Sequence, residues 1–328
     1  MIEQTDICII GAGLSGLALG DKLVSEGRAI RILEARNRPG GRVCSHQGYD
    51  LGPSWIWPHN HRMLALVQKL GLRSFPQYAS GRLVFEDAGG AIRRDLDFAT
   101  MGGALRIAGG MACITEALAE PLRDNLHLDH PVRRVTPDST GVTVAGDTFE
   151  IRAARVVFAM PPRLVATFGI PVPDAPTWMA GQTKLIATYD TPFWRDKGLN
   201  GDAISHFGPL AEIHDASPVD TGTGALFGFV HPGAARQSGL REVAIAQLAR
   251  LFGPDAATPL DVFIKDWSED TATATLADRT PLAHHPTYSA IPPTGRLIFA
   301  GTETSPIDGG FLEGALAAAE TAHTILGK

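Results

Sequence analysis

Two glycine-bearing segments near opposite ends of the chain have the residues needed to hold a dinucleotide. The first reads Asp6-Ile-Cys-Ile-Ile-Gly-Ala-Gly-Leu-Ser-Gly16. Gly11 permits a tight turn, Gly13 lets a pyrophosphate approach the backbone, and Gly16 lets a helix pack closely on a strand. The N–H groups that open the following helix present partial positive charge to phosphates. Glu34 ends the next apolar run, Ala29 to Leu33, where a carboxylate accepts hydrogen bonds from a ribose 2′-OH and disfavours a 2′-phosphate. Gly40-Gly41-Arg42 follows. Its glycines admit a ligand beside the backbone, and Arg36, Arg38 and Arg42 can pair with phosphate oxygens. The second segment reads Arg296-Leu-Ile-Phe-Ala-Gly-Thr-Glu-Thr304, then Asp308-Gly-Gly-Phe-Leu-Glu-Gly314. It must return across the whole chain to finish the same site. The pair points to FAD, and therefore to redox chemistry.

The elements around these motifs fit that chemistry. Residues 6–10 form a short apolar run with β-branched members, the pattern of a buried parallel strand. A helix is expected over Leu14 to Val24, and another over His61 to Leu70, stopped at Gly71. Residues 81–94 read as a hairpin around Asp87-Ala-Gly-Gly90. Gly109-Gly110 opens a helix through Ala119 that stops near Pro121. Residues 126–158 alternate and turn at Gly141 and Gly146-Asp147, which suggests an antiparallel ribbon whose end, Val156 to Ala159, joins the parallel sheet. Further strands are expected at Lys184 to Tyr189, Ala203 to Phe207, Ala225 to Val230 and Leu260 to Trp267, with one helix at Leu240 to Leu251. Glu212 and Asp215 fall between these runs and read as a solvated loop. The expected fold is α/β, with a Rossmann-like FAD-binding domain on a parallel sheet and a smaller α+β substrate domain on a mixed sheet. The FAD-binding domain is expected to be discontinuous, over 1–78, 104–168 and 269–328. The substrate domain would take 79–103 and 169–268.

The chain resembles the flavin-containing amine oxidase superfamily, which includes monoamine and polyamine oxidases. The matching stretches are Asp6 to Arg42, Ala104-Leu-Arg-Ile-Ala-Gly-Gly-Met111, Val156-Val-Phe-Ala-Met-Pro-Pro162, Lys184 to Trp194, and Arg296 to Gly314. They fall in the family's order and cover most of the chain. The resemblance implies hydride transfer from an amine carbon to flavin N5, with oxygen reoxidising the flavin. It places Gly11, Gly13, Gly16, Glu34, Ala35, Arg36, Gly41 and Arg42 on the ADP side, with the Val132 backbone at the adenine. Gly52, Pro53, Ser54 and Trp55 would pass beside the isoalloxazine, and Gly301, Glu303, Gly310, Phe311 and Leu312 would close the flavin side. It matches Lys184 to the lysine that reaches flavin N5 through water, where a cation would help oxygen accept an electron. Trp55, Trp57 and Phe311 would line the substrate pocket. The two tryptophans are spaced by two, so they point to one side of an extended segment.

Three departures from the family bear on activity. The position of the flavin-tethering cysteine of monoamine oxidases falls near Leu276, so non-covalent FAD is expected. One ring of the substrate-framing aromatic pair is Phe311, but the other falls near Ala277. The family's long helical insertion is missing before Gly109-Gly110, which predicts a more open active site. Three functions follow from the residues: an amine oxidase, a renalase-like oxidase of a reduced nicotinamide, and an FAD-binding protein without catalysis.

Composition narrows the partners. A net charge of −6 gives no general attraction to nucleic acid or acidic membranes. No apolar run reaches bilayer-spanning length. The cysteines Cys8, Cys44 and Cys113 are scattered and form no disulfide or metal pattern, with Cys8 and Cys44 expected as buried packing residues. The first strand already begins at residue 6, so no leader is expected before it. A small molecule and oxygen in a reducing cytoplasm are the expected setting.

Overall fold

A computed structural model describes residues 3–327. The first apolar run lies within the strand Glu3–Ile10, whose last four residues are buried. Ile7 and Ile9 enter one core, and Cys8 and Ile10 enter another, so both faces of the strand are covered. That explains why the run is continuously apolar rather than alternating. It pairs in parallel with Ile30–Leu33 on one side and Glu150–Phe158 on the other.

The first sheet has seven strands. Their order is Arg134–Pro137, Val142–Ala145, Glu150–Phe158, Glu3–Ile10, Ile30–Leu33 and Leu126–His127. The seventh, Leu297–Phe299, joins in parallel beside the end of Glu150–Phe158. Glu150–Phe158 is therefore antiparallel to Val142–Ala145 over its first half and parallel to Leu297–Phe299 over its second. The helices Leu14–Ser25, Ala112–Ala119 and Leu312–Leu326 pack on one face through Leu17, Leu23, Ile114, Leu118, Leu316 and Ala319.

The second sheet also has seven strands. Their order is Asp261–Asp266, Thr183–Tyr189, Gly224–Val230, Leu210–Asp215, Leu199–Ser205, Arg82–Glu86 and Ile92–Leu96. All neighbours are antiparallel except Leu199–Ser205 with Arg82–Glu86, so the sheet is mixed, as expected. Helix Leu240–Phe252 covers one face against Leu185, Ala187, Ile213 and Leu226. On the other face, Ile186 and Phe227 pack against Tyr49, Leu51 and Trp55, which arrive from the first sheet's side of the chain. Among the described residues no helix is long and apolar enough to cross a membrane.

Two local expectations need correction. Glu212 and Asp215 lie on the strand Leu210–Asp215 rather than in a solvated loop, and Asp215 is buried. Its carboxylate accepts hydrogen bonds from Trp194 Nε1 and Arg195, so a polar residue occupies a core position and hides the strand's pattern. The helix Ala112–Ala119 ends just before Pro121, as expected. Pro121 sits in the first turn of a 3₁₀ segment that follows, Glu120–Asn125, where its missing N–H costs nothing. Leu126–His127 leaves the expected ribbon and pairs in parallel with Ile32 and Leu33.

The glycine turn is where the fold is tightest. Gly11 has φ +104°, a conformation that favours glycine. A Cβ on Gly16 would overlap the Gly11 carbonyl oxygen and press on Ala159. Gly16→Ala is therefore expected to destabilise the protein by about 1–3 kcal/mol, as overpacking does. Urea unfolding of the full chain checks this; an unchanged midpoint would show that the turn relaxes freely.

Candidate active site

One cavity of about 1330 Å³ runs from the glycine turn of the first sheet to the open face of the second. Sites for drug-sized ligands usually span about 300–1,000 Å³, so this one has room for a dinucleotide and a further small molecule. Gly11, Gly13, Glu34, Ala35, Arg36, Gly41, Arg42 and Val132 line its first end. Gly52, Pro53, Ser54, Trp55, Trp57, Lys184, Gly301, Gly310, Phe311 and Leu312 line the other. Of the residues expected at the site, Gly16 and Glu303 do not line the cavity. Gly16 lies behind the turn, and Glu303 is buried beneath Arg42.

Local structure fits the first end for a dinucleotide. Gly13 is the cap residue of helix Leu14–Ser25 and provides no side-chain acceptor for the helix N–H groups. A Cβ on Gly13 would meet only the Gly40 carbonyl oxygen, at 4.0 Å, so glycine leaves open space there. Phe311 likewise caps Leu312–Leu326 without a side-chain acceptor. Two helix starts therefore turn unsatisfied N–H groups toward one cavity, the arrangement that binds anionic ligands. Glu34 is fixed by the N–H of Ala12 at 2.9 Å and of Arg36 at 3.0 Å, one to each carboxylate oxygen. Oε1 also accepts from the Arg36 guanidinium at 3.3 Å, so Oε2 is the oxygen that keeps acceptor capacity for a ribose hydroxyl.

The arginines have protein partners. Arg36 donates to Glu34, to Asp270 at 2.5 Å and to Thr273 at 2.7 Å. Arg38 donates to the carbonyls of Pro39, Gly41 and Val43 and braces its own loop. Arg42 donates to Glu303 at 2.6 Å. This ion pair and the hydrogen bond from Ser15 Oγ to the Ala300 carbonyl at 2.5 Å tie the two distant motifs together.

Lys184 is the only lysine buried from solvent among the described residues, at 3 % exposure. Its Nζ donates to Ser54 Oγ at 2.7 Å and to the Gly52 carbonyl at 3.1 Å. It also lies 3.8 Å from the centre of the Phe227 ring. Burial brings the amine down to about 7, because desolvation penalises its charge; nearby Asp50 opposes that shift and Arg106 adds to it. A group that titrates near neutral pH can hold or release a proton during turnover.

Aromatic groups shape the substrate end. Trp55 donates Nε1–H to Gln77 and packs against Phe227. Trp57 stacks on His59, which also lines the cavity. Phe311 is half exposed and has a partner that sequence reasoning missed. Trp178 stands edge-on to it, 6.4 Å between ring centres, and lines the same cavity. Trp178 lies in an irregular segment far from either motif, so no spacing signals it. Phe229 and Gln182 also line this end. Gln182 immediately precedes the lysine's strand, whereas strand pairing places Phe229 opposite Lys184. Cys8 is buried as expected, whereas Cys44 is only partly buried and does not line the cavity.

Comparison with known proteins agrees with this geometry. The model of flavin containing amine oxidoreductases matches residues 14–96 and 82–322. A flavin-containing monoamine oxidase of Mycobacterium tuberculosis is 26% identical, covering 97% of this chain and 95% of its own. Putrescine oxidase of Kocuria rosea has the same identity and coverage, and an L-amino acid dehydrogenase of Synechocystis is 23% identical. In structure, a putrescine oxidase bound to putrescine superimposes with a TM-score of 0.84 at 22% identity, over all of both chains. Cyclohexylamine oxidase from Brevibacterium oxydans gives 0.85 at 21%, over 98% of each. The alignment to the mycobacterial relative runs over 432 positions, more than this chain's 328 residues by over 100. That difference agrees with a missing insertion.

The Arg42–Glu303 pair makes a stability prediction. Glu303 Oε2 has no partner within the described residues, so Arg42 is the main compensation for this buried carboxylate. Arg42→Ala is expected to cost roughly 3 kcal/mol in urea unfolding, the scale of stranding a buried charge. Arg42→Ala with Glu303→Gln should recover part of that loss; equal destabilisation by both variants would count against the electrostatic cause.

Proposed function

We propose that this chain, which belongs to the family of flavin containing amine oxidoreductases, oxidises a small amine beside Lys184 and passes the electrons to oxygen. The carrying observation is the single cavity that joins an FAD-sized cradle to a desolvated lysine and an aromatic wall. Bound FAD supplies the two-electron step, taking hydride from the carbon next to nitrogen and returning the electrons to oxygen to give peroxide. Non-covalent binding is supported by the lining of the cavity, which contains no cysteine among the described residues.

The chain's own groups divide the remaining work. Gly13 and the uncapped start of Leu14–Ser25 receive the pyrophosphate, and Glu34 holds the adenosine ribose. The start of Leu312–Leu326 stabilises negative charge at the redox end. Phe311 and Trp178 present ring faces and edges to an apolar amine. Lys184 holds a proton at Nζ, next to where oxygen must gain charge.

A reduced nicotinamide remains the second reading, supported by the missing insertion and by the absence of an aromatic residue at Ala277. Anaerobic titration of the yellow protein with primary, secondary and aromatic amines separates the two. Bleaching by an amine supports amine oxidation, whereas bleaching only by a reduced nicotinamide overturns it.

The two half-reactions are expected to respond to pH in opposite directions. Flavin reduction should rise with pH, because the substrate nitrogen must be neutral to release hydride. Reoxidation by oxygen should fall as pH rises through about 7, because Lys184 then loses its charge. Lys184→Met should slow reoxidation roughly 10²-fold, the scale of removing one electrostatic stabiliser, and abolish its pH dependence. Stopped-flow measurement of each half-reaction checks this; reoxidation unchanged in the variant would remove Lys184 from the oxygen step.

A further inference from the structure

Asp50 is a buried carboxylate to which the reading above assigns no function. It is 2 % exposed, yet it neither lines the cavity nor pairs with an arginine or lysine. Its Oδ1 accepts the Met111 N–H at 2.7 Å and the Ser45 hydroxyl at 2.6 Å. Ser45 Oγ in turn accepts the Ala112 N–H. Asp50 therefore sits at the start of helix Ala112–Ala119, where the helix dipole favours negative charge. Oδ2 is fully buried and has no hydrogen-bond partner within the described residues. A cap needs only one oxygen, so capping leaves the second unexplained.

The segment that begins at Asp50 also holds the lysine. Lys184 Nζ donates to the carbonyl of Gly52 and the hydroxyl of Ser54, two and four residues further on. No hydrogen bond joins Asp50 to Lys184, but both are desolvated, and charges couple strongly in such an interior. Other charged groups near the lysine are limited. Arg106 is buried and donates to the carbonyls of Ala216 and Ser217. Lys265 lies opposite Lys184 in the strand register but is paired with Asp270. The neighbouring strand presents Phe227 and Phe229, with His214 beyond Phe227. Asp215, on the strand after that, is neutralised by Arg195. Asp50 is thus the acid left to balance Lys184; burial pushes its own carboxyl above the ordinary range, and Ser45, Lys184, Arg106 and the Met111 N–H oppose that shift.

We propose that Asp50 is a positioning residue: held at the start of helix Ala112–Ala119, it acts through space as the counter-ion that sets when Lys184 carries its proton. The inference rests on the reading that Lys184 serves the oxygen step only for its functional consequence. The charge coupling itself can be measured without turnover.

The test is competitive acetylation of the full chain by acetic anhydride across pH, with the Lys184 peptide quantified by mass spectrometry. In the unaltered protein the labelling midpoint is expected at about 7. Asp50→Asn should lower it by about one unit or more, the usual effect of losing a nearby opposite charge. Arg106→Gln should raise it. The directions separate electrostatics from damage, since a loosened pocket rehydrates the amine and moves both variants upward, toward an ordinary lysine. Asp50→Ser keeps an acceptor for the Met111 N–H and serves if the asparagine variant does not fold, with the same downward shift expected. A midpoint that stays fixed or rises in the folded Asp50→Asn or Asp50→Ser variant overturns the proposal. Failure of Lys184→Met to slow reoxidation, with the Asp50 shift intact, would instead overturn the oxygen role alone.

Discussion

The active-site end depends on keeping one amine out of water. A lysine at that depth is costly unless its donors are satisfied, and here a hydroxyl, a carbonyl and a ring face satisfy them. These partners come from two sources. Phe227 belongs to the second sheet, whereas Gly52 and Ser54 belong to a segment that follows the first glycine motif. The lysine can reach this state only if both sheets are formed and the segment between them is seated. Tyr49, Leu51 and Trp55 supply the apolar packing that seats it.

The same demand explains why the two motifs lie so far apart in sequence. A parallel sheet grows by crossover connections, so neighbouring strands are separated by long stretches of chain. Leu297–Phe299 joins the sheet only after the entire second sheet has been built. Its loop then returns to the first helix, where the Ala300 carbonyl accepts Ser15 Oγ. The following residues bury Glu303 under Arg42 and start a second helix at the cavity. The far end of the chain thus completes a pocket that the first motif only begins.

Most of the cradle was legible because each part answers a local backbone requirement. Gly11 needs a positive φ, Gly16 needs the absence of a Cβ, and Glu34 closes a strand beside the turn. Such demands leave a mark in residue type and spacing. The opposite wall was less legible because it is set by strand pairing. Phe229 faces the cavity only because it lies opposite Lys184 in register. Trp178 reaches Phe311 across an irregular segment with no periodicity to betray it. Leu210–Asp215 escaped notice because His214 and Asp215 are buried polar residues, made tolerable by Asp202, Trp194 and Arg195. Sequence pattern records apolar burial well, but it does not record polar burial that is satisfied by distant partners.

The same polar burial accounts for how a shortened chain keeps its second sheet intact. The two stretches matched by the family overlap at residues 82–96, just before the connection that follows Ile92–Leu96. That connection is fastened by hydrogen bonds rather than by packing. Asn200 donates to the Phe98 carbonyl, and Asp202 accepts both the N–H and the hydroxyl of Thr100. Asp202 also holds His214, whose ring meets Trp55 edge-on at 5.0 Å between ring centres. The fastening of a surface turn therefore continues into the wall of the cavity. Phe98 is 60 % exposed, so apolar contact contributes little to fixing the turn. Directional bonds to a buried strand do that work, and they hold Trp55 from behind without needing a covering layer of helices.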